Sequence, residues 1–139
     1  MLHGTANVSF VDATIDRLPF ENESFDVVIS NGVINLSPVK QRVFAEAARV
    51  LRPEGRLAIS DLVATSPLNE ATRRNTELWA ACIAGAVPIS GYCDGLAEAG
   101  FSIVAKRRNG YRFLTERARS ASATYGVESI TIAAVRAER

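Results

Sequence analysis

The sequence predicts an α/β fold: a mainly parallel sheet of about five strands, with an antiparallel strand at the C-terminal end and helices on its flanks. Three observations carry this reading. The apolar pair Phe10-Val11 ends in Asp12, and a second run, Phe25 to Ile29, ends in Ser30-Asn31. Between them Leu18-Pro19-Phe20 reads as a fixed turn, too short a connection for an ordinary helix. A helical pattern and a third apolar run, Arg56 to Leu62, then follow, giving the order strand, crossover helix, strand.

Each element has a local reason. Asn7 to Asp12 alternates weakly around Val8, Phe10 and Val11 and reads as a strand. Phe25 to Ser30 is a continuous Val/Ile run, the mark of a strand covered on both faces. Ser37-Pro38 offers an N-cap and a first-turn proline. Val39, Val43, Phe44, Ala47, Val50 and Leu51 recur at helical spacing until Pro53-Glu54-Gly55 stops them. A second helix is predicted from about Glu70 to Ala84, with Leu78, Trp79, Cys82 and Ile83 toward one side and Trp79 as a core anchor. Ser90 is the expected cap of a short helix that stops at Gly100. Phe101 to Lys106 and Ser129 to Val135 read as the last strands, with a basic, weakly periodic stretch from Arg112 to Ser122 between them.

The 139 residues, 47% of them hydrophobic, suit a single domain over 1–139. Residues 1–70 carry six Lys/Arg against nine Asp/Glu, and residues 71–139 carry ten against six. That asymmetry is too small to argue for a polyanion, and Lys106-Arg107-Arg108 with Arg112, Arg117 and Arg119 lacks interleaved aromatic platforms, so no nucleic-acid partner is expected. No apolar run approaches a membrane span, and no secretion signal opens the chain, so a cytoplasmic protein with no membrane partner is the expectation. Two cysteines and one histidine, His3, are too few for a zinc-type site, so no metal is expected.

The candidate chemistry lies where the strands end. Asp12 can accept from an exocyclic amine while the following N–H, on Ala13, donates to a ring nitrogen; its bland alternative is bonding its own turn. Ser30-Asn31-Gly32 leaves a strand at the sheet's ligand edge, and Asn35 can meet a ligand or cap the turn before Pro38. Asp26 opens its strand and reads as structural. Asp61 ends the third strand in the same row and can contact substrate or cap the following loop.

The run from Asp12 through Phe20 to Asn31 resembles the central motifs of class I S-adenosylmethionine-dependent methyltransferases, and the stretch through Asp61 resembles their arsenite methyltransferase-like branch. The resemblance implies a truncated Rossmann-like methyltransferase fold, in which this chain supplies strands 3 to 7. It implies S-adenosylmethionine as cofactor, with Asp12 and Ala13 on the adenine side and Ser30, Asn31 and Gly32 at the cofactor edge. It implies methyl transfer to a small acceptor, with arsenite the branch's own. Asn35 and Cys82 are the substrate-side candidates, since Cys82 lies in a segment similar to a helix that carries an arsenic-binding thiol in that branch. Where the branch often has a cysteine, this chain has Gly32. No Gly-x-Gly turn occurs in the sequence, which predicts impaired or absent transfer by this chain alone. The alternative is a non-catalytic dimerisation or interaction module. The apolar run of Val27, Val28 and Ile29 would leave an open edge, so the expected partner is a second copy, with a twofold axis near the N-terminal strands and the Leu18-Pro19-Phe20 loop; a separate chain supplying the N-terminal half is the other candidate.

Overall fold

The computed structural model describes residues 6–138. Five strands, β1 (Phe25–Asn31), β2 (Leu51–Ala64), β3 (Val87–Pro88), β4 (Phe101–Asn109) and β5 (Glu128–Arg136), form one sheet. Its order is β1-β2-β5-β4, with the two-residue β3 added to the end of β2. β1 and β3 run parallel to β2, and β5 runs antiparallel to both β2 and β4. The expected mainly parallel sheet with an antiparallel last strand is what forms. Helices α1 (Lys40–Val50), α2 (Glu70–Arg73), α3 (Thr76–Ala80), α4 (Ile89–Glu98) and α5 (Glu116–Tyr125) flank it.

Alternation decides which face each residue serves. Leu57 and Ile59 of β2 and Ile130, Ile132 and Ala134 of β5 join Val43, Phe44, Tyr92 and Leu96 from α1 and α4 in the main core. Phe44 and Tyr92 meet edge to face, 5.2 Å between centroids. On the opposite face a second core of Leu62, Leu68, Leu78, Phe113 and Val127 covers only the carboxyl end of β2. Trp79 packs against it, as an anchor should. Among the described residues the rest of that face is uncovered, with Val27 and Ile29 exposed on it.

Several expected elements take another form. Asn7 to Asp12 is not a strand: its residues are exposed, Phe10 by 97%, because no neighbouring strand offers them a ladder. β1 is not covered on both faces; it is an edge strand whose Val27 and Ile29 are 54% and 78% exposed. The helix expected over 70–84 breaks into α2 and α3, because Asn75 accepts the Leu78 N–H at 3.0 Å and so caps a new helix. Pro88, not Ser90, stands at the N-cap of α4, and Val39, with no side-chain cap, precedes α1. Gly100 does end its helix, at φ +93°. His3, the lone histidine, lies outside the described residues.

Two arginines fasten the loops. Arg49 donates to the carbonyls of Leu18 (3.0 Å) and Phe20 (2.7 Å) and pairs with Glu46, whose other oxygen accepts the Leu18 N–H. Arg136, buried at the end of β5, donates to the Leu51 carbonyl and lies 3.3 Å from Glu23. The loop preceding β1 is thereby held to the sheet.

Candidate active site at the carboxyl ends of the strands

β1 ends at Asn31, and Gly32 turns the chain at φ +70°, with its N–H on the Ser60 carbonyl at 2.9 Å. A short 3-10 turn, Ile34–Leu36, follows and brings Asn35 under the sheet edge, fully buried. From the other side the turn after α3 delivers Cys82, which holds a positive φ of 62° although it carries a side chain. The two segments are joined by contacts that explain that strain. Cys82 Sγ donates to the Gly32 carbonyl at 3.3 Å, and Asn35 Nδ2 donates to the carbonyls of Cys82 (3.2 Å) and Leu62 (2.7 Å). Gly85 lies so close to the Asn35 carbonyl that any Cβ there would overlap it.

Between these segments opens a cavity of about 370 Å³, walled by Asn31, Gly32, Ser60, Asp61 and Cys82 and closed on the far side by Asn109 and Tyr111. A polar ladder crosses the sheet beside it: Ser60 Oγ lies 2.6 Å from Thr131 Oγ1, and Asn109 Nδ2 donates to Thr131 Oγ1 (2.9 Å) and Ser129 Oγ (3.2 Å). Such a row of neutral donors and acceptors can orient a small polar molecule without neutralising it.

Asp61 is the buried charge of the site. It accepts N–H bonds from Asn35 and Leu62, yet burial outweighs them and pushes its carboxyl above the ordinary range. Burial lowers the Lys40 ammonium, against the pull of Asp61. Burial, and secondarily Asp61, raises the Cys82 thiol and the Tyr92 phenol. Tyr92 Oη and Asn35 Oδ1 are buried without a hydrogen-bond partner among the described residues.

The structure brings three of the sequence candidates, Asn31, Gly32 and Cys82, onto one wall. Ser30 sits one residue back, on an apolar groove of about 300 Å³ beside α1. Asn35 lies behind the cavity wall and positions Cys82 and Asp61. Asp12 and Ala13 are exposed and make no hydrogen bond among the described residues. Asn109, Tyr111 and Ser129 were not among the candidates. Their signal was a polar Asn-Gly at the end of β4, which runs three residues beyond the Lys106 boundary expected from the apolar pattern. Among the described residues no group of three or more His, Cys, Asp or Glu is arranged to hold a metal ion.

A sheet that delivers asparagine, serine and aspartate to one carboxyl edge beside a cavity has the architecture of doubly wound α/β domains, the class that binds ligands at that edge. A family model described as a methyltransferase domain matches residues 2–119, and the chain belongs to that family. Arsenite methyltransferase of Halobacterium salinarum is 47% identical over 98 residues, 70% of this chain and 25% of that protein. Arsenite methyltransferase of Homo sapiens is 44% identical over 85 residues, 59% of this chain and 23% of that protein. The crystal structure of an arsenic(III) S-adenosylmethionine methyltransferase from Chlamydomonas reinhardtii superposes with a TM-score of 0.73 at 29% identity, over 95% of this chain and 44% of that one. The chain thus spans about a quarter of the length of these curated relatives.

Proposed function

We propose that this chain is the acceptor-side part of an S-adenosylmethionine-dependent methyltransferase whose substrate is a small, uncharged, thiol-seeking species of the trivalent arsenic kind. The observation that carries the reading is the meeting of Cys82 with Gly32 and Asn31 in one cavity at the sheet's carboxyl edge. Two parts of the donor set suit the cofactor. Asp12 and the N–H of Ala13 make no hydrogen bond among the described residues and offer an acceptor followed by a donor, as the edge of adenine requires. Gly32 leaves open space where any other residue would place a Cβ, so the backbone can approach a ligand closely. When bound, S-adenosylmethionine supplies an electrophilic methyl group for in-line transfer. The chain's own residues hold and orient: Asn31 faces the cavity, Asn35 fixes the Cys82 carbonyl, and the Cys82 thiol is the soft ligand for the acceptor.

Two titrations test the reading. Calorimetry with S-adenosylhomocysteine is expected to give heat with a defined stoichiometry, weakened by Asp12→Ala. Silence at millimolar ligand favours a non-catalytic interaction module. Trivalent arsenicals are expected to quench Trp79 fluorescence, because the Cys82 N–H bonds the Trp79 carbonyl at 2.9 Å and the two residues are neighbours. Cys82→Ser should abolish the quench; an unchanged response in that variant removes arsenic from the proposal.

A further inference from the structure

One amide in the cavity wall is held by its neighbours. The register of the sheet brings Ser60 of β2, Ser129 and Thr131 of β5 and Asn109 of β4 together: Ser60 stands opposite Thr131, and Asn109 stands opposite Ser129. Asn109 Nδ2 commits its two hydrogens to Thr131 Oγ1 and Ser129 Oγ. Its Oδ1 has no hydrogen-bond partner among the described residues. A side-chain amide has two N–H groups and one accepting oxygen, so what Asn109 has left to offer is an acceptor. It offers it in the wall of the cavity that also holds Cys82. Among the described residues no lysine or arginine lines that cavity, and its one charged residue is Asp61. The Cys82 thiol hydrogen is directed at the Gly32 carbonyl. An anion entering there would set its charge against Asp61 and the Asn109 oxygen. A neutral species with hydrogens on oxygen would not.

We propose that Asn109 selects the hydroxyl groups of the methyl acceptor, its Oδ1 accepting a hydrogen bond from an O–H on the arsenic-type centre held at Cys82. This rests on the reading of the cavity as the acceptor site. The capture step balances without a change of oxidation state. The Cys82 sulfur forms a bond to the arsenic of As(OH)3, one As–O bond breaks, and the departing hydroxide takes the thiol proton and leaves as water. The centre keeps two O–H groups, and Asn109 binds one of them. The bonds to Ser129 and Thr131 hold the amide plane, so the accepting oxygen is in place before the ligand arrives. Selection by such a group works through hydrogens that the ligand carries, so a trivalent centre whose remaining substituents are alkyl groups gains nothing from it.

Trp79 fluorescence titrations of the full chain with arsenous acid and with dimethylarsinous acid test this. Once Cys82 has displaced its hydroxide, the dimethyl compound has no O–H left. Asn109→Leu should therefore weaken arsenous acid binding by about three- to tenfold, the range of one neutral hydrogen bond, and leave dimethylarsinous acid binding unchanged. Asn109→Asp keeps an acceptor in the wall and should hold arsenous acid affinity within about twofold of the wild type. If the leucine variant fails to fold, the wild type still decides. In its nitrogen–proton spectrum the Asn109 side-chain amide, identified by its loss in Asn109→Asp, should shift with arsenous acid and not with the dimethyl compound. Equal losses for both compounds in Asn109→Leu, no loss for arsenous acid, or a loss in Asn109→Asp as large as in Asn109→Leu would overturn the role of Asn109 and leave the Cys82 reading standing. If neither compound quenches the wild type, the reading of the cavity is overturned and the role of Asn109 with it.

Discussion

The Asn35 backbone N–H donates to Asp61 Oδ2 at 3.1 Å, while Asp61 Oδ1 takes the N–H of Leu62 at 2.9 Å. One buried carboxylate thus ties the turn after β1 to the end of β2. Burial raises its pKa in the folded chain, so the folded state binds the proton more tightly than the unfolded state. For an acid raised in this way, stability is greatest below the unfolded value and falls as pH climbs toward the folded one. The stability of the wild type relative to Asp61→Asn is therefore expected to fall as pH rises out of the ordinary carboxylate range, about 4. Urea unfolding of both proteins across that range checks it. A gap independent of pH would mean that the N–H bonds compensate burial fully.

Gly85→Ala is expected to destabilise the fold by about 1–3 kcal/mol, the cost of forcing extra volume into a packed site. The new methyl overlaps the Asn35 carbonyl, and Asn35 is held by its backbone N–H on Asp61 and its side-chain amide on the Leu62 carbonyl. The urea midpoint should drop with an unchanged m-value. Gly91→Ala is the control, since nothing lies within 4 Å of its added carbon.

The thiol at Cys82 should be slow to alkylate. Burial first and Asp61 second raise its pKa, which reduces the thiolate at neutral pH. Peptide mapping after iodoacetamide at about pH 7.5 is expected to show Cys82 reacting several-fold more slowly than a free model thiol, with the rate climbing as pH rises past its ordinary value. Asp61→Asn should speed the reaction. Equal rates in the two proteins would show that the carboxylate does not reach the sulfur.

Arg49→Ala releases the loop before β1, because one guanidinium holds the carbonyls of both Leu18 and Phe20. Limited trypsin digestion should cut after Arg17, an exposed residue, markedly faster in the variant. A rate equal to that of the wild type would place the loop's restraint elsewhere.

Much of this arrangement was legible in local pattern. The helical spacing of Val43, Phe44 and Ala47 places α1 on the sheet, and the polar ends of the strands mark the ligand edge. What stayed hidden depends on neighbours. Asn7 to Asp12 has the alternation of a strand but no partner with which to share hydrogen bonds. Val27 and Ile29 read as buried because composition reports what a strand can bury, not whether anything covers it. Cys82 was legible as a residue of the site; its positive φ and its hold on the Gly32 carbonyl were not, since both arise from a segment fifty residues away in sequence.

The placement of β5 between β2 and β4 sets the order in which the molecule can close. β2 must find β5 across sequence separations that run from 65 residues, Val63 with Glu128, to 79, Arg56 with Val135. Nonlocal pairing of this kind makes refolding slow, because the loop must close before any of its contacts can hold it. Until β5 is in place, Leu57 and Ile59 of β2 lack the Ile130, Ile132 and Ala134 side chains they pack beside in the finished core. Refolding yield should then fall as protein concentration rises, through collisions between half-built sheets rather than any instability of the finished one.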